Sequence, residues 1–153
     1  MSAEEKLREL GIVLPAAPAP AGLYAPAMQA GPLLFVSGQV PMRDGVVLRH
    51  GKCGDSVSVD EAAELARVCA LNALAIVRAH LGTLDRVVKA VQVRGYVASG
   101  PAFIEHPKVI NGASQLLLDV FGEAGRHARV AIGVAELPFG VPVEVEFLFE
   151  VAR

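Results

Sequence analysis

The sequence predicts an α+β domain in the order ββ-α-β-α-ββ, with a mainly antiparallel sheet and two helices on one of its faces. Three observations carry this prediction. From Arg129 to Val151 the chain alternates in two runs, with Val130, Ile132 and Val134 opposite Arg129, Ala131, Gly133 and Ala135. After Leu137-Pro138-Phe139-Gly140, the residues Val143, Val145, Phe147, Phe149 and Val151 alternate with Glu144, Glu146, Leu148 and Glu150. Side chains on a strand alternate faces, so this reads as two strands joined by a Pro/Gly turn. Second, Ser58-Val59-Asp60-Glu61 is a capping-box signature ahead of a long apolar stripe. Third, two further strand-like runs, Leu33–Val40 and Val87–Val97, flank that helix.

The elements follow in order. Residues 3–10 read as a short amphipathic helix ending at Gly11, and Pro15, Pro18 and Pro20 punctuate an alanine-rich connector. Residues 1–21 are thus expected as a helix plus connector, and residues 22–153 as a single domain. Leu23–Ala30 is the first strand and Gly31-Pro32 the turn into the second. Residues 41–54 form a loop with a short strand at Val46–Leu48. The first long helix ends near Leu81 at Gly82, and its core stripe is Ala62, Leu65, Ala66, Cys69, Ala73, Ile76 and Val77. A loop at 99–107 leads to a second helix from Pro107 or Lys108 to Phe121, stopped by Gly122.

With 53% apolar and 20% charged residues the chain can bury a real core and is not disordered. A net charge of −2 argues against a nucleic-acid surface. No apolar run approaches a membrane span, and the charged N-terminus has no signal-peptide core, so a cytoplasmic protein with reduced Cys53 and Cys69 is expected. So much apolar strand, buried on both sides, suggests an oligomer.

Arg129 stands on a face that is otherwise alanine and glycine, with Glu144 and Glu146 opening the neighbouring strand. A guanidinium can hold a carboxylate with two parallel hydrogen bonds, and small neighbours leave it room. The bland alternative is a cross-strand ion pair with Glu144 or Glu146, worth about 0.2–1 kcal/mol. His50, His80, His106 and His127 show no metal spacing, and His50 and Cys53 form an HxxC pair without partners. His127, two residues before Arg129, is a candidate proton carrier if the strand starts early. Gly51-Lys52-Cys53 misses phosphate-loop spacing, and Ser37 lacks a nucleophile elbow.

FVSGQVP at 35–41, ARxAxxVxxLPxGxxVEVE at 128–146 and the segment from Phe103 to Asn111 together resemble the Rid family, also called YjgF-like and once labelled L-PSP endoribonuclease. The resemblance covers about Gly22 to Val151. It implies a chorismate-mutase-like subunit in a homotrimer, with sites in the clefts between subunits and no metal or organic cofactor. The implied reaction is hydrolysis of an enamine or imine, such as 2-aminoacrylate, to a 2-keto acid and ammonia. The family's substrate-binding arginine falls on Arg129 and its water-positioning glutamate on Glu144. Its other binding positions fall on Tyr24, Gly38, Asn111 and the backbone at Ala131. The chain departs from the family at Gly22-Leu-Tyr-Ala-Pro-Ala27, where GPYSQA is usual, at Val130 and Ala131, and in longer loops around Cys53 and His106. Two other functions follow from the same residues: a non-catalytic trimer that holds a small carboxylic acid on Arg129, and the old ribonuclease activity, which the acidic balance disfavours.

Overall fold

The computed structural model describes every residue from Met1 to Arg153. After a short helix α1 (Ala3–Glu9) the chain forms β1 (Ala27–Ala30), β2 (Leu33–Gln39), the small strands β3 (Met42–Arg43) and β4 (Val46–Val47), α2 (Val59–Leu81) and β5 (Val87–Ala98). It ends with α3 (His106–Phe121), β6 (Ala128–Val134) and β7 (Val143–Val151). Five strands make one sheet in the order β1-β2-β7-β5-β6, and β3 and β4 form a separate ribbon. The sheet is antiparallel except for the β5–β6 pair. The expected mixed α+β class and mostly antiparallel sheet are therefore present.

Both long helices cover one face. The stripe expected on α2, from Ala62 to Val77, is buried throughout. It packs with Val109, Ile110, Ala113, Leu116 and Leu117 of α3 on Val143, Val145, Phe147, Phe149 and Val151 of β7. Ser58 caps α2 by accepting from the Glu61 N–H, and Gly82 ends it at φ 86°. Helix α1 is capped by Ser2 and Glu5, and its Glu4 accepts the Leu84 N–H. Leu7 and Leu14 join the main core.

The expected hairpin between residues 129–135 and 143–151 does not form. β5 lies between β6 and β7. β6 runs parallel to β5, Val93 opposite Arg129 and Val97 opposite Gly133, and α3 supplies the crossover that a parallel pair needs. Residues 135–142 then carry the chain past the end of β5 to its far side, so Pro138–Gly140 is a short 3-10 turn within a longer connection. Two ends also differ. β1 starts at Ala27, because Pro26 has no N–H to give a ladder, and α3 starts one residue early at His106. The expected single strand at Val46–Leu48 is half of the β3–β4 ribbon, turned by Asp44 and Gly45, both at positive φ.

Helices α2 and α3 meet at Gly112, where an added Cβ would run into the Ala63 carbonyl. Alanine gains about 1 kcal/mol in helix propensity. Here the obstacle is backbone, which cannot swing aside, so Gly112→Ala is expected to lower unfolding free energy by about 1–2 kcal/mol net. The check is a fall in the urea midpoint at unchanged slope.

Candidate functional site

Arg129 is the second residue of β6, the outer strand of the sheet. Val93, its partner in register, is buried under the helices, so Arg129, Ala131 and Gly133 face α3. On the opposite side of β6, Val130 and Ile132 are both open to solvent. Arg129 Nη1 donates to Asn111 Oδ1 at 2.8 Å and to Ser114 Oγ at 3.1 Å, and Nη2 donates to the Pro107 carbonyl at 3.3 Å. All three partners are neutral, and Arg129 takes part in none of the ion pairs of the chain. A guanidinium has five N–H donors, so Nε–H and one Nη2–H are left for a ligand. Partial burial pushes its pKa below the usual arginine value.

Ser114 extends this anchor. Its hydroxyl lies 2.8 Å from His127 Nε2, and His127 Nδ1 lies 2.7 Å from the Gly125 carbonyl. A carbonyl only accepts, so Nδ1 carries the proton, Nε2 accepts from Ser114, and the Ser114 lone pair accepts from Arg129. His127 precedes β6, so it does not share the strand face. Both ring nitrogens are engaged in orienting Ser114. Ser114 is not among the sequence candidates, since a lone serine in a helical stripe has no signature of its own.

Tyr24, Gly38 and Glu144 form a second group. β2 and β7 lose register between Val36 and Gln39, and Gly38 lies in that irregularity. A Cβ at Gly38 would stand 3.1 Å from the Glu144 carboxyl carbon, so glycine leaves the space the carboxylate fills. Tyr24 and Gly38, with Asn72 and Phe139, line a small cavity of about 50 Å³. Tyr24 lies outside any strand, and its hydroxyl accepts the Ala21 N–H. Burial pushes the Glu144 pKa up, and the Glu146 charge adds to this. Glu146 itself accepts from the Tyr96 hydroxyl at 2.6 Å and lies 3.7 Å from Arg94.

Within one chain the two groups do not converge. β5 separates β6 from β7, and Glu144 leaves the face opposite to Arg129. The expected pairing of Arg129 with Glu144 or Glu146 on neighbouring strands is thus corrected. Asn111 and Ala131 go with Arg129, whereas Tyr24 and Gly38 go with Glu144.

Other chemistry finds little support. Cys53 and Cys69 are free and fully buried, and burial pushes the Cys53 thiol up to about 11 and that of Cys69 well above its ordinary value. No group of three or more His, Cys, Asp or Glu side chains converges on a metal-sized point. No helix is long and apolar enough to cross a membrane.

The architecture is a two-layer α+β subunit with a free-handed arginine on its edge strand and a carboxylate set at a glycine-bearing irregularity of the sheet. Residues 4–150 match the family model described as "YjgF/chorismate_mutase-like, putative endoribonuclease". The chain belongs to this YjgF-like, or Rid, family. It is 50% identical over 145 residues to protein TCP17 of Trypanosoma cruzi, covering 94% of this chain and 91% of that one. It is 30% identical over 135 residues to protein HMF1 of Saccharomyces cerevisiae, covering 88% and 89%. The crystal structure of Atu1372 from Agrobacterium tumefaciens, a protein of unknown function, superposes with a TM-score of 0.90 at 44% identity, covering 98% and 92%.

The raised Glu144 pKa has a consequence for stability. The folded state holds the Glu144 proton more tightly than the unfolded chain, so charging this group as pH rises through its folded pKa costs stability. Glu144→Gln removes that cost. Urea unfolding is expected to find the variant more stable than the parent at pH 7, with the advantage shrinking as pH falls from the raised folded pKa toward the ordinary glutamate range and absent below it.

Proposed function

We propose that the chain is a metal-independent hydrolase that converts reactive imines and enamines of the 2-aminoacrylate type to 2-keto acids and ammonia. The observation that carries this reading is the Arg129 guanidinium, held by Asn111, Ser114 and Pro107 without any carboxylate, and with two N–H donors to spare. Such a fork binds a substrate carboxylate bidentately. An enamine is first protonated at carbon to become an iminium. Glu144 then takes a proton from water as the oxygen bonds to the imine carbon and passes it to the nitrogen. As the C–N bond breaks and ammonia leaves, the remaining hydroxyl proton goes to Glu144 and on to solvent, and the keto group forms. A carboxylate whose pKa is raised is better matched to that base role near neutrality.

The two halves of this site come from different copies of the chain. One copy supplies Arg129, Asn111 and the backbone at Ala131, and the next supplies Tyr24, Gly38 and Glu144. Two features favour a homotrimer that joins them. The outer edge of β6 is unpaired, and the sheet face away from the helices exposes Met28, Phe35, Val130 and Ile132. The separation of Arg129 from Glu144 within one chain also favours a second reading, a non-catalytic binder of small carboxylic acids. The ribonuclease label of the family finds little here: the chain carries a net charge of −2, and its arginine sits among alanine and glycine.

The test is ammonia and keto-acid release from imines generated in place by an amino-acid lyase or oxidase. Arg129→Ala is expected to cut turnover by about a hundredfold or more, since it removes two charge-assisted hydrogen bonds. Full activity in Arg129→Ala would sink the hydrolase reading. No acceleration over buffer with any imine, combined with calorimetric binding of a 2-keto acid, would establish the binder.

A further inference from the structure

We propose that His106, held over Gly133 by Ser99 and Phe103, forms an anion-accepting subsite beside Arg129 that selects ligands with a second carboxylate on the side chain. This rests on the reading of Arg129 as the anchor of a 2-imino or 2-keto acid. It adds the identity of the acid: a four- or five-carbon diacid.

The imidazole is a built feature. An added Cβ at Gly133 would stand 2.6 Å from His106 Nε2 and 2.7 Å from Ser99 Oγ, so only glycine lets the ring and the hydroxyl lie on β6. Nε2 is 3.3 Å from Ser99 Oγ. Phe103 meets the ring edge-on, with centroids 5.1 Å apart. Phe103 in turn rests on Gly54, which adopts φ +81° and where a Cβ would stand 3.0 Å from the phenyl ring. Backbone bonds from Cys53 N to the Ala98 carbonyl and from Gly100 N to the Cys53 carbonyl tie these loops to the end of β5. The two long loops around Cys53 and His106 thus form one wall, and they present an imidazole.

That wall stands beside the Arg129 cleft. Arg129, Ala131 and Gly133 share one face of β6, and Arg129 to Gly133 is about 13 Å along the strand. The guanidinium already touches the carbonyl of Pro107, the residue after His106. The guanidinium and the imidazole thus meet the same end of α3 from one face of β6, and a ligand held on Arg129 reaches His106 only through an extended side chain.

The electrostatics favour an anion. His106 is the first residue of a sixteen-residue helix whose N-cap, Glu105, makes no side-chain hydrogen bond to the helix N–H groups. The nearby carboxylates are engaged: Glu105 with Lys108 at 2.7 Å and Glu136 with Lys52 at 2.7 Å. His106 Nδ1 has no protein partner, and no buried side-chain nitrogen or oxygen is left unpaired, so Nδ1 faces solvent. When Nε2 accepts the Ser99 hydroxyl proton, Nδ1 carries the N–H as an outward donor.

The experiment is calorimetry of 2-oxoglutarate against 2-oxopentanoate on the full-length parent and on His106→Leu, His106→Gln and Gly133→Ala. Turnover of the imines of glutamate and norvaline is measured in parallel. The parent is expected to bind the diacid about tenfold or more tightly than the monoacid, the range of one charge-assisted hydrogen bond. His106→Leu and Gly133→Ala should erase that ratio, the second by pushing the ring aside, and His106→Gln should restore part of it. Affinity for 2-oxopentanoate in each variant reports on the Arg129 half of the cleft. Equal affinities in the parent, or a ratio unmoved in His106→Leu, would overturn the proposal. A ratio that depends on His106 without any imine turnover would keep the subsite and discard the hydrolase. Binding of neither acid, with no imine preference that responds to His106, would discard both.

Discussion

The parallel pairing of β6 with β5 is the constraint on which the rest depends. A parallel neighbour cannot be reached by a tight turn, so α3 must cross over before β6 is laid down. That crossover puts the first turns of α3 above the outer strand, where Pro107, Asn111 and Ser114 meet Arg129. It also leaves the position on the other side of β5 open for β7, which becomes a central strand and carries the alternating valines and phenylalanines of the core. The same topology therefore buries one face of β7 in the core and leaves β6, with Arg129, at the edge of the sheet.

Arg129 illustrates how a charge is held in place without being cancelled. A partly buried charge is normally neutralised, because desolvation works against it. Here the neighbours are an amide, a hydroxyl and a carbonyl, and the hydroxyl is itself oriented through His127 and the Gly125 carbonyl. These groups fix the direction of the guanidinium without cancelling its charge. A carboxylate in the same place would have given a stable ion pair and an inert surface. Glu144 is the complementary case: it is held at a glycine bulge beside another carboxylate, so its proton is retained more strongly than usual.

Much of this was legible in the sequence, for physical reasons that differ by element. The α2 stripe and both its ends followed from helical spacing, Ser58 and Gly82, which act locally. The alternation of β6 and β7 was also local, and so was the oddity of an arginine among alanine and glycine. Their pairing was not, since alternation specifies faces and not neighbours. A Leu-Pro-Phe-Gly segment carries turn chemistry whether it closes a hairpin or bends a longer connection, and only the competing claim of β5 on both strands decides which. Ser114 and Ser99 were missed because a hydroxyl has no sequence signature of its own. Their roles exist only where α3 and the end of β5 come against β6.

The division of the candidate site into two halves has a further consequence. A single chain holds the arginine on one face of the sheet and the glutamate on the other, with a strand between them. On the proposed reading, chemistry requires that one copy present its edge strand to the open face of another. Holding both partners in one cleft contributes most of the available rate gain for so simple a hydrolysis, since the imine carbon is already electrophilic and needs only water and orientation. Assembly and activity would then be the same equilibrium, and dilution below the assembly constant would silence the protein without unfolding it. An edge strand left unpaired in the isolated subunit is a liability. Covering it with a second copy turns that liability into the step that completes the site.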